Sequence, residues 1–350
     1  MLRQHRTLRW LAPVGVVGAV AVVAGSVIAA HATPEPVPPT TPTALLAGMQ
    51  SANHQGFSGT IVAQISLGLP SLPGVVSSDS STSMTSLLAG SHTLRCWYAG
   101  PDQQRVALLG TTDETDVFHS GTDLWQWSSS DFTATHVKLP AHDERLAPPT
   151  VESLTPEQLA TRALAALDPS TTVTVEGTRV VADRTAYVLV LTPKDSSTRV
   201  GSVRISVDGR TKVPLGVQVF ARGSSSAAVD IEFSDVSFAT PSRANFAFTP
   251  PPGATVKEGF NADYPEPDSG HPASVIGTGW SSVVEYRAPT SEGAAPRKNE
   301  LQALPRVSGA WGTGRILDAP LFSVLLTDDG RVFAGAVDPD VLYRAAATHK

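Results

Sequence analysis

Between Ser91 and Phe238 the chain alternates apolar and polar positions with a period of two. Val229-Asp-Ile-Glu-Phe233 puts three apolar side chains on one face and two acids on the other, and Ser202-Val-Arg-Ile-Ser-Val207 repeats the pattern. Successive strand side chains point to opposite sides of the backbone, so this period marks strands with one dry and one wet face. It predicts strands over 92–99, 103–110, 114–119, 122–128 and 132–139, and a second block over 171–181, 185–192, 200–208, 213–222 and 227–238. No helical pattern falls within either block. The strands therefore have no crossover helices to join them in parallel, and a large antiparallel sheet follows. After Phe233 the alternation changes phase, which predicts a bulge near Ser234–Asp235. An earlier strand, Phe57 to Leu67, places Ile61, Ala63, Ile65 and Leu67 on one side.

Two helices are signalled before and between these blocks. Thr41-Pro42 supplies an N-cap and a first-turn proline, Leu45, Leu46, Met49 and Ala52 form the apolar side, and Gly56 is the stop. The second runs over 155–168. Thr155 caps it, Gln158 closes a capping box, Leu154 and Leu159 form a staple, and Leu159, Ala163, Leu164 and Leu167 give the stripe. Residues 68–91 are rich in Gly, Pro and Ser with apolar islands, the composition of a loose insertion or a flap. A proline-containing linker over 259–272 separates the β-rich part from 273–350. That tail predicts a small C-terminal α+β domain: a strand near 274–287, a helix near 299–308, a hairpin of 316–326 and 331–337 around Asp329-Gly330, and a helix from Asp338.

The N-terminal residues set the expected compartment. Arg3, Arg6 and Arg9 precede an uncharged stretch from Trp10 to Ala30, and Ala30-His-Ala32 is an A-x-A-like cleavage site. Residues 1–32 are thus expected to be a signal peptide or a signal anchor, followed by a Pro-rich linker over 33–42. The expected location is extracytoplasmic: secreted, or anchored to the cytoplasmic membrane. The formal net charge is −6 with no long basic run, which removes nucleic acid as a partner. Cys96 is the one cysteine, so no intramolecular disulfide can form and stability must come from the core.

The chain carries no G-x-S-x-G, H-E-x-x-H, P-loop, paired C-x-x-C or dinucleotide motif. Asp113, Glu114 and Asp116 sit beside a turn, as a solvated cluster would. His119 and His136 could face each other across strands, with His142-Asp143-Glu144 nearby, but metal ligation needs three or four converging donors. The expectation is no catalytic residue, no metal, no cofactor and no enzymatic activity. Trp125 and Trp127 share a strand face, where aromatics either fill a core or line an apolar ligand cavity.

Three stretches taken in order resemble a known group. Gly121-Thr-Asp-Leu-Trp125-Gln-Trp127 follows Arg105-Val-Ala-Leu-Leu and Asp116-Val-Phe-His-Ser. Val175-Glu-Gly-Thr-Arg-Val-Val-Ala-Asp-Arg-Thr-Ala-Tyr187 opens a strand pair, with Asp183 in place of a usual glycine. Phe246-Ala-Phe-Thr-Pro-Pro-Pro-Gly253 closes the region. The set is similar to the LolA/RseB-like lipoprotein-carrier superfamily, over about 43–256. The resemblance implies an α+β fold: an unclosed antiparallel β-barrel over 43–258, with helices plugging its concave face. It implies lipid or lipoprotein acyl chains bound between sheet and plug, without catalysis. The cavity candidates under that implication are Leu45, Leu46, Met49, Ile61, Ile65, Trp125, Trp127, Leu159, Ala163, Val203, Ile205, Val229, Ile231 and Phe233. Two-domain members of the group restrain anti-sigma factors. The alternative is therefore an RseB-like envelope-stress regulator that binds a membrane anti-sigma factor or another envelope protein.

Overall fold

The computed structural model describes residues 36–52, 56–69, 89–139, 156, 160, 170–259, 274–287 and 303–348. The apolar stretch 10–30, most of 68–91, the linker 259–272 apart from Gly259, and all of the expected 155–168 helix except Pro156 and Ala160 lie outside these. No helix among the described residues is long and apolar enough to cross a membrane.

Helix α1, Pro42–Ser51, starts where its sequence directs: the Thr41 hydroxyl accepts a hydrogen bond from the Ala44 N–H at 3.2 Å, and proline occupies the first turn. The strands of the first block are β1 Phe57–Ile65, β2 Gly90–Tyr98, β3 Gln103–Leu109, β4 Glu114–Ser120, β5 Asp123–Ser128 and β6 Thr133–Lys138. Those of the second are β7 Thr171–Val181, β8 Arg184–Pro193, β9 Val200–Asp208, β10 Pro214–Ala221 and β11 Ala227–Ser237. Each block is an antiparallel meander. They meet where β1 pairs with β11, and a short strand β12, Thr255–Glu258, runs back to pair in parallel with β6. The resulting sheet of 12 strands has the order β12-β6-β5-β4-β3-β2-β1-β11-β10-β9-β8-β7. Its two edges do not pair with each other, so the sheet stays open.

The sheet is nevertheless strongly rolled. Arg179 on β7 and Glu232 on β11 form an ion pair at 2.9 Å, although β8, β9 and β10 lie between them in hydrogen-bonding order. In a flat sheet, four strand spacings would hold these backbones about 19 Å apart, beyond the combined reach of the two side chains. The phase change read in the sequence is a real bulge. Thr60 pairs with Asp235 and Ile61 with Phe233, so Ser234 is the extra residue. A second irregularity, between Val175 and Thr178, coincides with Gly177 at φ 83°, a conformation that glycine adopts without strain.

A second sheet has six strands, β13 Ser274–Ile276, β14 Val283–Arg287, β15 Arg306–Gly309, β16 Gly312–Asp318, β17 Ser323–Thr327 and β18 Arg331–Gly335, in the order β13-β14-β18-β17-β16-β15. Helix α2, Pro339–Thr348, buries Leu342, Ala345 and Ala346 against it. The strand expected over 274–287 is two strands. The helix expected near 299–308 is, over its described part, replaced by β15, because Arg306–Gly309 forms a hydrogen-bonded hairpin with β16. Cross-sheet pairing outweighs a marginal local helix preference here.

The two sheets share one core. Trp280, Leu321 and Ala336 belong to the same apolar cluster as β1 and β7–β11, and the Trp280 indole N–H donates to the Thr171 hydroxyl at 2.8 Å. Thr198 bridges to Val337, and Arg199 pairs with Asp318 and Asp338 and donates to the Ala319 carbonyl.

Cys96 is fully buried on β2, and burial pushes its thiol from the ordinary 9.0 up to about 12. A raised folded value means that its contribution to stability is intact below the unfolded pKa and is lost as pH rises toward the folded one. At about pH 8 the native protein should therefore resist a thiol-specific chromogenic reagent that the denatured chain consumes at once. Rapid modification of the native protein would contradict this placement.

Candidate functional site

Strand register sorts the candidate residues onto two faces, since directly paired residues share a face. One apolar row reads Leu189, Ile205, Val217, Ile231 and Ala63 across β8, β9, β10, β11 and β1. The next reads Leu191, Val203, Val219, Val229 and Ile65. A third continues from Phe233 through Ile61 and Leu94 to Leu108, on β11, β1, β2 and β3. Every one of these side chains is buried. Leu45 of α1 is fully buried in the same cluster, and Leu46 and Met49 pack against it. Ala160 is also buried there, while Leu159 and Ala163 lie outside the described residues. The structure therefore brings ten of the candidates together: Leu45, Leu46, Met49, Ile61, Ile65, Val203, Ile205, Val229, Ile231 and Phe233.

Trp125 and Trp127 do not join them. Their row is Trp97, Arg105, Phe118, Trp125, His136 and Glu258, on the opposite face. The chain itself covers part of this face. After β11 it turns through a 3-10 segment, Arg243–Phe246, that packs on β3 and β4. It then lays the Phe248 ring 4.7 Å from Phe118, 5.5 Å from Trp125 and 6.0 Å from Trp127, before entering β12. The two tryptophans thus serve a second, smaller apolar cluster.

The electrostatics of the faces differ accordingly. On the apolar face, His92 stands opposite Ala63, and burial drives its pKa down to about 4, so it is neutral at physiological pH. On the aromatic face, Arg105 stacks between the rings of Trp97 and Phe118 and pairs with Asp116 at 2.9 Å. Burial pushes the Asp116 carboxyl up, against the pull of Arg105. His136 lies against Trp125 with ring centroids 4.3 Å apart. Its two nitrogens sit 2.8 Å from Asp123 and 3.0 Å from Glu258. Lys138 and then His136 hold the Asp123 carboxyl below its ordinary value. His119 faces the other way, paired with Leu124 on the apolar side. The two histidines that the sequence set across from each other therefore lie on opposite faces and do not converge.

The Pro-rich linker is docked where it is described. The Tyr187 hydroxyl donates to the Pro38 carbonyl at 2.6 Å, and Pro36–Pro38 line a cleft of about 430 Å³ with Asp183–Thr185 and Asp208–Arg210. The charged pair in that cleft, Arg184 with Asp208, has no signature in the sequence pattern. Burial raises the Asp208 carboxyl, but Arg184 and the N–H groups of Thr211 and Arg210 outweigh it and hold the group below its ordinary value.

No protein-family model matches the chain, and no curated protein does. Solved structures similar to it include the Pseudomonas aeruginosa MucA/MucB complex, at 16% identity and TM-score 0.45 over 87% of this chain and 96% of that one. MucB alone matches at 17% identity and TM-score 0.43, over 87% and 95%. The LolA superfamily protein NE2245 from Nitrosomonas europaea matches at 12% identity and TM-score 0.24, over 60% and 99%. MucB and LolA-superfamily proteins are thus among the structures this chain is similar to.

Proposed function

We propose that this chain is an extracytoplasmic binding protein of the LolA/RseB type, which holds lipid or lipoprotein acyl chains against the apolar face of its rolled sheet and catalyses nothing. Helix α1 is the cover in this reading, with Ala160 buried in the same cluster, and Leu45, Leu46, Met49, Ile61, Ile65, Val203, Ile205, Val229, Ile231 and Phe233 line the site. The observation that carries it is the face itself. Rows such as Leu189–Ile205–Val217–Ile231–Ala63 are apolar without interruption across five strands, about 19 Å at the usual strand spacing, the length scale of a fatty acyl chain. The alternating sequence supports the same reading, as does the ordered resemblance of residues 43–256.

The expected result is that protein purified from its export compartment without denaturant yields acyl lipid on organic extraction, in about one-to-one ratio by mass spectrometry. Lipid-free extracts, together with no displacement of a fluorescent fatty acid, would remove the proposal.

One observation favours a second reading. The second sheet is locked to the first through Trp280, Thr198 and Arg199, so an event on the apolar face could be passed to a partner of residues 273–350. MucB forms a complex with MucA in solved structures. By that analogy the partner would be the exported segment of a membrane anti-sigma factor. Its capture by lipid-free protein, in place of acyl chains, would favour this regulator.

A further inference from the structure

We propose that the apolar face carries a built polar subsite, Gln104 with His119, which accepts hydrogen bonds from a hydroxyl or ammonium group on the bound lipid. This rests on the lipid-binding reading above and specifies the headgroup chemistry.

Gln104 on β3 and His119 on β4 are directly paired across the strands, and both stand on the apolar side, between Tyr98 on β2 and Leu124 on β5. Gln104 is 1% exposed. Each residue commits one side-chain N–H to a turn carbonyl. The Gln104 side-chain NH2 donates to the Pro101 carbonyl at 2.9 Å, which fixes the amide so that Oε1 points away from that turn. His119 Nε2 lies 2.9 Å from the Gly121 carbonyl. A carbonyl oxygen can only accept, so Nε2 carries a hydrogen, and in the corresponding single-hydrogen tautomer Nδ1 is left as an acceptor. The turns that hold both residues are themselves tied, Gly121 N–H to the Asp102 carbonyl at 2.8 Å.

The result is two acceptors, Gln104 Oε1 and His119 Nδ1, both buried and both without a hydrogen-bond partner among the described residues. Buried acceptors are nearly always paired, because leaving one unmade forfeits its hydration. The orphaned side-chain atoms on Arg204 and Asp230 belong to a charged network on the opposite face, where Glu232 is paired with Arg179. On the lipid side, the two acceptors stand within the row Tyr98–Gln104–His119–Leu124, near the Cys96–Val106 and Leu94–Leu108 rows of the main apolar cluster. A lipid whose chains follow those rows places its polar end beside them. Two unmet acceptors favour a group that gives hydrogens: a hydroxyl or a primary ammonium. They reject the same headgroup once it is methylated.

The test measures displacement of a fluorescent fatty acid from the full exported chain by matched lipid pairs. Dioleoylglycerol against its O-methyl ether probes the hydroxyl. Dioleoyl phosphatidylethanolamine against dioleoyl phosphatidylcholine probes the ammonium. The expected result is a preference of about tenfold for the donor-bearing member of at least one pair, the scale of one or two net hydrogen bonds. The pair that shows it identifies the source. In the Gln104→Met/His119→Phe double variant that preference should fall to about onefold. The variant also gives up the bonds to the Pro101 and Gly121 carbonyls, so its melting temperature should fall modestly; the ratio within each lipid pair is the readout that a purely structural role would not move. The measurement on the unsubstituted chain stands even if the variant fails to fold. Equal affinity for both members of both pairs, with acyl chains still bound, would overturn the subsite and leave the carrier reading standing. No binding of any acyl lipid would remove both.

Discussion

Replacing Phe246 by alanine is expected to destabilise the protein by about 3–5 kcal/mol, the usual cost of deleting a fully buried ring. Phe246 is 1% exposed and ends the 3-10 turn that fastens the chain to β3 and β4 on its way from β11 to β12. Without this anchor the segment carrying Phe248 lifts from Phe118, Trp125 and Trp127. Tryptophan emission should therefore shift to the red in the folded state, before the main unfolding transition. The melting temperature should fall by roughly 10 °C. A loss under about 1 kcal/mol, with unchanged emission, would show that the return segment does not cover the aromatic face. The alanine variant should still bind acyl chains, since the apolar rows lie on the other side of the sheet.

Trp280→Ala should have an effect of similar size, about 3–5 kcal/mol, by a different route. Trp280 comes from the second sheet but is buried in the first sheet's cluster and donates to Thr171 at the start of β7. Its loss opens a cavity at the seam and also orphans a hydroxyl. Two unfolding transitions should then replace one in calorimetry, and limited proteolysis should separate residues 36–258 from the tail. Trp280→Phe keeps most of the volume and should cost only about 1 kcal/mol, the value of the hydrogen bond. Equal losses for the two variants would mean that packing at this position is irrelevant. A single sharp transition in Trp280→Ala would mean that Arg199 and the Thr198–Val337 bridge suffice to couple the sheets.

Strand existence was legible because alternation is a local property. All ten expected strands of the two blocks form within one or two residues of their expected ends, and even the bulge at Ser234 was visible as a break in parity. What could not be read was which face of one strand matches which face of another. Trp125 and Ile231 look equally inward on their own strands. Only the chain of pairings from β5 through β1 to β11 shows that they point to opposite sides. The return of β12 to β6 was hidden for the same reason, since Thr255–Glu258 is fully exposed and carries little periodic signal. Asp208-Gly209 carries a tight-turn signal, and the loop that joins β9 to β10 runs from Gly209 to Val213. The Asp208 carboxylate accepts from the N–H groups of Arg210 at 2.8 Å and Thr211 at 2.6 Å, and so stabilises the extra residues. The Gln104–His119 pair left no trace either, because its meaning lies in which atoms go unsatisfied.

The pairing of β1 with β11 joins residues 57–65 to residues 227–237, and β12 must then find β6. Contacts so distant along the chain form late and slowly, because the entropy of closing the loop must be met before any pairing rewards it. Until the eleventh strand has emerged, the first has a partner on one side only. A nascent chain wired in this way stays pliable for most of its synthesis and sets only once its eleventh strand is available.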